Sequence, residues 1–131
     1  RVQQVDIYLN PSSRAPKLKK GSYYWKARCR GIPREGTGQA GECTSGQRLI
    51  MLCVIAALKI VVRPAMITIH TDSYYLAGCH RNLQQWKNDG WKKNDGKEVR
   101  NADLWQQIMD LESPHAIKYQ LERPMPKKEE I

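Results

Sequence analysis

The sequence has no cysteine pair with the C-x-x-C spacing typical of structural zinc sites, although it contains four cysteines. Cys53 lies within an apolar segment, where we expect it to behave as a small buried hydrophobic residue. The other three are Cys29, Cys43 and Cys79. This pattern argues against a zinc site and against a disulfide framework. It favours reduced thiols and a cytoplasmic location.

The sequence also lacks an apolar segment long enough to cross a bilayer, and it shows no signal peptide. The longest apolar stretch, LIMLCVIAALKIVV at residues 49–62, is interrupted by Lys59 and is interpreted as a buried helix. Internal repeats are absent, and 131 residues fit one domain with a modest core. We therefore expect no membrane contact. Because the chain opens on Arg1 rather than Met, we expect a trimmed chain or a piece of a longer one.

Acidic residues are scarce relative to basic ones, with 13 Asp and Glu against 22 Lys and Arg, giving a net charge of +9. Residues 1–34 contain nine basic residues and a single acid, Asp6. A second basic region, KNDGWKKNDGKEVR at residues 87–100, contains a tryptophan. Such a surface is either simply solvated or contacts a polyanion. Two basic regions far apart in sequence favour nucleic acid as the partner.

Hydrophobic periodicity predicts an α/β fold with five strands and four helices. The predicted strands are residues 2–9, 22–31, 38–42, 65–71 and 115–122, and the predicted helices are residues 46–62, 73–81, 82–88 and 101–112. N-caps are expected at Thr44 or Ser45, at Asp72–Ser73 and at Asn101. Strands one to three form an antiparallel meander, and right-handed crossovers add the last two in parallel. The result is a mixed five-stranded sheet flanked by helices.

Several stretches resemble the type I ribonuclease H family. HTDSYYLAG resembles its fourth strand, and VDIYLNPSS stands where the family has a strand ending in TDGS. WKNDGWKKNDGKEVRNADLWQQI closely resembles the family's basic handle and the N-x-D-L-W helix that follows, and IKYQLE resembles the last strand. The resemblance implies an RNase H-like domain over residues 1–122. Residues 123–131 would be a charged tail, with the family's final helix absent.

The family cleaves the RNA strand of RNA/DNA hybrids with two Mg²⁺ ions held by four acidic side chains. Carried onto this sequence, the resemblance keeps the strand-four acid as Asp72 but places Asn10 and Ile50 at two other acid positions. The fourth acid position falls in the tail. The histidine that the family has in the loop after its last strand is also absent, and Met125 is near that position in the sequence. The possible substitutes are Asp6, about 13 Å from Asn10 along the strand, and Glu42, Glu129 and Glu130. The resemblance therefore implies an inactive or impaired domain, with no cofactor unless Mg²⁺ serves an active form.

Candidate nucleic-acid ligands lie in the loop after strand one, on the long helix and in the handle. They are Arg14, Lys17, Lys19, Lys20, Arg48, Trp86, Lys87, Trp91, Lys92, Lys93 and Lys97. Of the two handle tryptophans, we expect one in the core and the other partly exposed. His70 is interpreted as a hydrogen-bonded structural residue rather than a ligand. Without other acids nearby, Asp72 is interpreted as a helix N-cap.

Three functions remain open from the sequence. The favoured one is an inactive RNase H-like domain that binds an RNA/DNA hybrid or duplex through its basic loop and handle. The second is an active Mg²⁺-dependent ribonuclease whose site is completed by another acid, a lost helix or a partner. The third is a protein-interaction domain or homodimer, which would show an exposed apolar patch near strand five.

Overall fold

The computed structural model describes residues 2–13, 15–17, 20–41 and 44–122. Its elements are β1 (Gln3–Pro11), β2 (Gly21–Cys29), β3 (Ile32–Ala40), α1 (Gly46–Leu58), β4 (Ala65–Thr71), α2 (Tyr74–His80), α3 (Leu83–Asn88), α4 (Ala102–Glu112) and β5 (Ala116–Leu121). The element order is the one predicted from the sequence. The predicted tail, residues 123–131, lies outside the described residues.

The five strands form one mixed sheet in the order β3-β2-β1-β4-β5. β2 pairs antiparallel with both β1 and β3, whereas β4 pairs parallel with β1 and with β5. The parallel pairs need crossovers, which α1 and the helices α2 to α4 supply. This topology confirms the predicted mixed sheet.

Burial alternates along the strands and separates two faces of the sheet. On β1, Val5, Ile7 and Leu9 are buried beneath α1. The opposite face carries polar residues together with Tyr8 and Met66, which are 41% and 51% exposed. In the register of the sheet, Tyr8 lies between Lys26 and His70, and Met66 lies between Gln4 and Ala116.

The third strand is longer than the predicted residues 38–42, because it runs from Ile32 to Ala40. Arg30 and Gly31 both adopt positive φ, 53° and 81°, which is the geometry of a two-residue hairpin turn. The turn places all of β3 in register with β2. The glycine-rich composition concealed the strand, since the glycines serve to accommodate aromatic rings from β2.

Helix α1 is shorter than the predicted helix at residues 46–62, and its N-cap is one of the two predicted residues. α1 ends at Leu58 rather than at residue 62, and Lys59 is its C-cap. Ser45, one of the two predicted caps of α1, accepts a hydrogen bond from the Arg48 amide. No helix in the described part of the chain is long and apolar enough to cross a membrane.

Candidate nucleic-acid interface

The position of the family's first acid lies at the end of β1. Asn10 is exposed there and pairs across to Tyr24 of β2. The parallel register of β1 and β4 pairs Tyr8 with His70, so Asn10 and Asp72 follow at the carboxyl ends of neighbouring strands. The fold therefore brings Asn10 and Asp72 to the same edge of the sheet, as the resemblance implied.

The position that the resemblance assigns to the second acid is a core position. Ile50 of α1 is 4% exposed and belongs to the main hydrophobic cluster. Its hydrocarbon side chain has no atom that can ligate a cation. Its burial among apolar neighbours explains why the fold accepts it there without cost.

Asp72 is not the N-cap of α2, contrary to the interpretation from the sequence. Ser73 occupies the N-cap, and its Oγ accepts the hydrogen bond from the Leu76 amide at 3.1 Å. Thr71 Oγ1 accepts a further bond from the Ser73 amide at 3.1 Å. Asp72 is half-buried between these two residues. The Leu76 amide at the helix end is therefore satisfied by a hydroxyl group rather than by the carboxylate.

The side chains at this edge do not fit a pair of magnesium ions. Two divalent cations a few ångström apart require several anionic oxygens. Asn10 offers one neutral amide oxygen, Ile50 offers none, and Asp72 offers a single carboxylate. Among the described residues, no group of three or more acidic, histidine or cysteine side chains could hold a metal ion. The other acids considered from the sequence, Glu42, Glu129 and Glu130, lie outside the described residues.

A groove of about 350 Å³ opens beside Asn10 at the ends of β1, β2 and β3. Its lining includes Ser12, Ser22, Thr37 and Gln39, which are hydroxyl and amide groups without charge. Such groups can hydrogen-bond a sugar or a base but cannot balance the charge of a metal ion. The rings of Tyr23 and Tyr24 also line the groove, so it offers hydroxyl and amide groups beside aromatic surface and suits an uncharged ligand.

The loop of residues 12–20, here called the basic loop, leaves β1 at Ser12. The Ser12 amide donates to the Ser22 carbonyl at 2.8 Å, which closes the base of the loop. Lys17 and Lys20 are exposed. The other two predicted ligands of this loop, Arg14 and Lys19, lie outside the described residues. The described lysines are thus available for phosphate contacts.

Residues 91–99, here called the basic hairpin, fold back on themselves. The backbones of Lys92 and Glu98 form an antiparallel β-bridge, and the Lys93 amide donates to the Lys97 carbonyl at 2.8 Å. The turn at Asp95 and Gly96 was predicted from the sequence, and Gly96 has φ 82°. Lys92, Lys93 and Lys97 are exposed on this hairpin, as is Lys87 on the preceding α3.

Both handle tryptophans are half-buried and pack against the core, so a partly exposed ring is found as expected but neither ring is a core residue. The Trp91 amide donates to the Trp86 carbonyl at 2.7 Å in the turn that ends α3. Gly90 and Trp91 both have positive φ in that turn, 70° and 64°. The two rings anchor the hairpin to the core.

Arg48 is already engaged within the protein. Its Nη1 and Nη2 donate to Oδ1 and Oδ2 of Asp103 at 3.0 and 2.9 Å, and Nη1 also donates to Asn101 Oδ1 at 3.1 Å. The hydrogen bond from Arg48 lowers the pKa of Asp103, since it favours the charged carboxylate. No local pattern in the sequence indicates this pair, because its members are separated by 55 residues.

Asn101 stands at the N-cap of α4, as predicted, but its side chain makes no capping bond. Instead its Nδ2 donates to the Tyr75 hydroxyl at 2.9 Å. Trp105 Nε1 approaches the same hydroxyl at 3.3 Å. Sequence reasoning missed Tyr75 altogether, since nothing local marks it as the link between α2 and α4.

His70 is held by hydrogen bonds, as expected from the sequence. Nε2 lies 2.9 Å from Asp6 Oδ1, and Nδ1 contacts Glu122 Oε1. Partial burial opposes the charge on the ring, but the bonds with Asp6 and Glu122 outweigh burial and raise the pKa of His70. Asp6 thus contacts His70, four residues before Asn10 along β1.

The chain matches the family model described as RNase H over residues 3–121. It therefore belongs to the RNase H family, which confirms the resemblance noted in the sequence. Among named relatives, Ribonuclease H of Cupriavidus necator is 38% identical over 120 residues, which cover 90% of this chain and 81% of that protein. Ribonuclease H of Bordetella pertussis is 34% identical over 119 residues, covering 89% and 75%.

Solved structures share the fold at lower identity. LC9-RNase H1, described as a type 1 RNase H with the type 2 active-site motif, gives a TM-score of 0.73 at 21% identity. The match covers 92% of this chain and 63% of that chain. The foamy viral protease-reverse transcriptase in complex with an RNA/DNA hybrid gives 0.64 at 16% identity, covering 88% of this chain and 17% of that one.

Proposed function

We propose that this RNase H domain binds an RNA/DNA hybrid or a related duplex without cleaving it. The main support for the proposal is Ile50, which is 4% exposed and stands where the resemblance assigns a metal-binding acid. With Asn10 at a second such position, Asp72 alone cannot hold two cations. Phosphate contacts do not require those acids, so binding remains when hydrolysis is lost.

The two basic surfaces support the binding half of the proposal. The basic loop and the basic hairpin expose Lys17, Lys20, Lys92, Lys93 and Lys97. A hybrid helix would be recognised by its backbone shape and by 2′-hydroxyl contacts rather than by base sequence. The neutral hydroxyl and amide groups of the groove beside Asn10 suit such sugar contacts.

The relatives named Ribonuclease H favour a second candidate function, an active Mg²⁺-dependent ribonuclease. In that form another acid, from the tail or from a partner, would have to complete the site around Asp72. The two functions share the nucleic-acid ligand and differ only in cleavage, so one experiment with two readouts separates them.

The binding half is tested by comparing two double variants of equal charge. Lys92→Gln with Lys93→Gln removes two charges from the basic hairpin, whereas Lys59→Gln with Arg63→Gln removes two exposed charges beyond the opposite end of α1. Anisotropy of a labelled RNA/DNA hybrid should show at least a roughly tenfold loss of affinity for the hairpin variant, and a smaller salt dependence. Equal losses in the two variants would refute the hairpin as a binding surface.

A further inference from the structure

The two basic surfaces are connected through the first turn of α1. The Gly46 amide donates to the Ala15 carbonyl of the basic loop at 2.8 Å. Two residues later, Arg48 reaches Asn101 and Asp103 at the start of α4, which follows the basic hairpin. The Ser45 cap fixes this turn by accepting the Arg48 amide at 3.1 Å. One helical turn therefore contacts both cationic elements.

The contact with the hairpin defines an orientation as well as a distance. The guanidinium of Arg48 meets both carboxylate oxygens of Asp103 in a fork, at 3.0 and 2.9 Å. A bidentate pair of this kind fixes the relative planes of the two groups, which a lysine cannot do. Asp103 lies in the first turn of α4, directly after the hairpin.

Asn101 is the point at which the chain turns from the hairpin into α4. Its φ of 61° is a left-handed conformation that a residue with a side chain rarely adopts. Arg48 from α1 and Tyr75 from α2 hold its amide group on two sides, at 3.1 and 2.9 Å. Val99 just before it is 4% exposed. The bonds from Arg48 and Tyr75 to Asn101 thus hold the point at which the chain leaves the hairpin and enters α4.

We propose that Arg48 is a positioning residue, which holds the basic loop and the basic hairpin in the relative orientation that lets both bind one duplex. The inference rests on the proposed function, because it presumes that both surfaces contact phosphate. It replaces the expectation that Arg48 itself binds nucleic acid. The bonds to Asp103 and Asn101 use three of the five guanidinium donors, and the fork to Asp103 fixes the direction in which Arg48 points.

Asp103→Asn distinguishes the two roles, with Asp110→Asn as the matched control. Each variant removes one negative charge from an exposed position of α4, so both raise the net charge by one. If Arg48 were a phosphate ligand, Asp103→Asn would free it and bind a labelled RNA/DNA hybrid more tightly than Asp110→Asn. A positioning role predicts the opposite, an affinity roughly tenfold below the control despite the same net charge.

The dependence of affinity on salt separates misalignment of a basic surface from a loss of stability, because a loss of stability alone would leave the salt slope unchanged. When one basic surface is misaligned, the slope of log K against log salt should fall by about 0.9 for each phosphate that is no longer neutralised. A hybrid too short to reach both surfaces should bind Asp103→Asn and the control equally. Arg48→Lys keeps the charge but removes the bidentate fork, and it should reproduce the Asp103→Asn result. Thermal unfolding confirms that each variant is folded at the assay temperature.

Tighter or equal binding by Asp103→Asn relative to Asp110→Asn would overturn the positioning role and leave the proposed function intact. An undiminished salt slope with weaker binding to short and long hybrids alike would also overturn it. If the wild-type protein shows no salt-sensitive binding at all, the proposed function and this inference fall together.

Discussion

The ring of His70 lies beside Asp6, with Nε2 2.9 Å from the carboxylate Oδ1. Its other nitrogen contacts Glu122, and its face stacks on Tyr8 at a centroid distance of 4.3 Å. A carboxylate group accepts hydrogen bonds, so His70 satisfies both neighbours when each ring nitrogen carries a proton. The two contacts therefore favour the imidazolium form, which links β1, β4 and the residue after β5.

This arrangement predicts a pH-dependent contribution to stability. The raised pKa means that the contribution is fully present below about pH 6.5, the ordinary histidine value, and is lost as pH rises through the folded-state pKa. The wild-type protein should exceed His70→Gln in free energy of unfolding by about 1 kcal/mol at pH 6. Denaturant unfolding from pH 5 to 9 should show this difference shrinking with pH. A constant difference would contradict the charged ring.

Ile50→Glu should destabilise the protein rather than restore a metal site. The new carboxylate would replace a side chain that is 4% exposed within the apolar cluster. Burying it without partners should lower the free energy of unfolding by about 3 kcal/mol. Ile50→Leu, which conserves volume, should cost less than about 1.5 kcal/mol. Thermal or denaturant unfolding compares the two, and a well-tolerated Ile50→Glu would show that this position is not truly part of the core.

Gly36→Ala should weaken the β2–β3 hairpin. The Trp25 ring crosses directly over Gly36, and a methyl group there would overlap its indole atoms. Trp25 is 6% exposed and cannot move away without disturbing the core, so we expect a loss of about 2 kcal/mol. Gly41→Ala serves as the control, since nothing lies within 4 Å of the added carbon. Equal unfolding midpoints for the two variants would argue against the close ring contact.

Cys53 should resist thiol reagents in the native protein. Burial raises the pKa of its thiol to about 12, so almost no thiolate exists near pH 8. Cys29 and Cys79 are only half-buried and should react first. Mass spectrometry of peptides labelled before and after denaturation can locate each modification. Rapid native labelling of Cys53 would be inconsistent with its place in the core.

The order of elements was predictable because it rests on local patterns. β1 and α4 carry clear strand and helix periodicity, and the Asp95–Gly96 turn has a strong local signal. The length of β3 was not predictable in the same way. Its glycines suggest turns when considered alone, and they become strand residues only because Trp25 and Tyr23 cover them from β2.

Only those residues of the candidate site that belong to local sequence motifs could be placed from the sequence. Asn10, Ile50 and Asp72 could be placed by resemblance, and the structure puts Asn10 and Asp72 at one sheet edge. The role of Arg48 could not, since it depends on a partner on α4 brought near by the fold. Charge alone suggested a phosphate ligand, and only the ion pair with Asp103 changed that interpretation.

The central claim is binding without hydrolysis, and one gel experiment tests it most directly. A labelled RNA/DNA hybrid is incubated with the protein in Mg²⁺ and then in Mn²⁺, at two salt concentrations, with Asp72→Asn alongside. We expect a band shift that weakens with salt, no cleavage in either metal, and the same behaviour for the variant. Cleavage of the RNA strand by the wild-type protein that Asp72→Asn abolishes would instead establish an active ribonuclease.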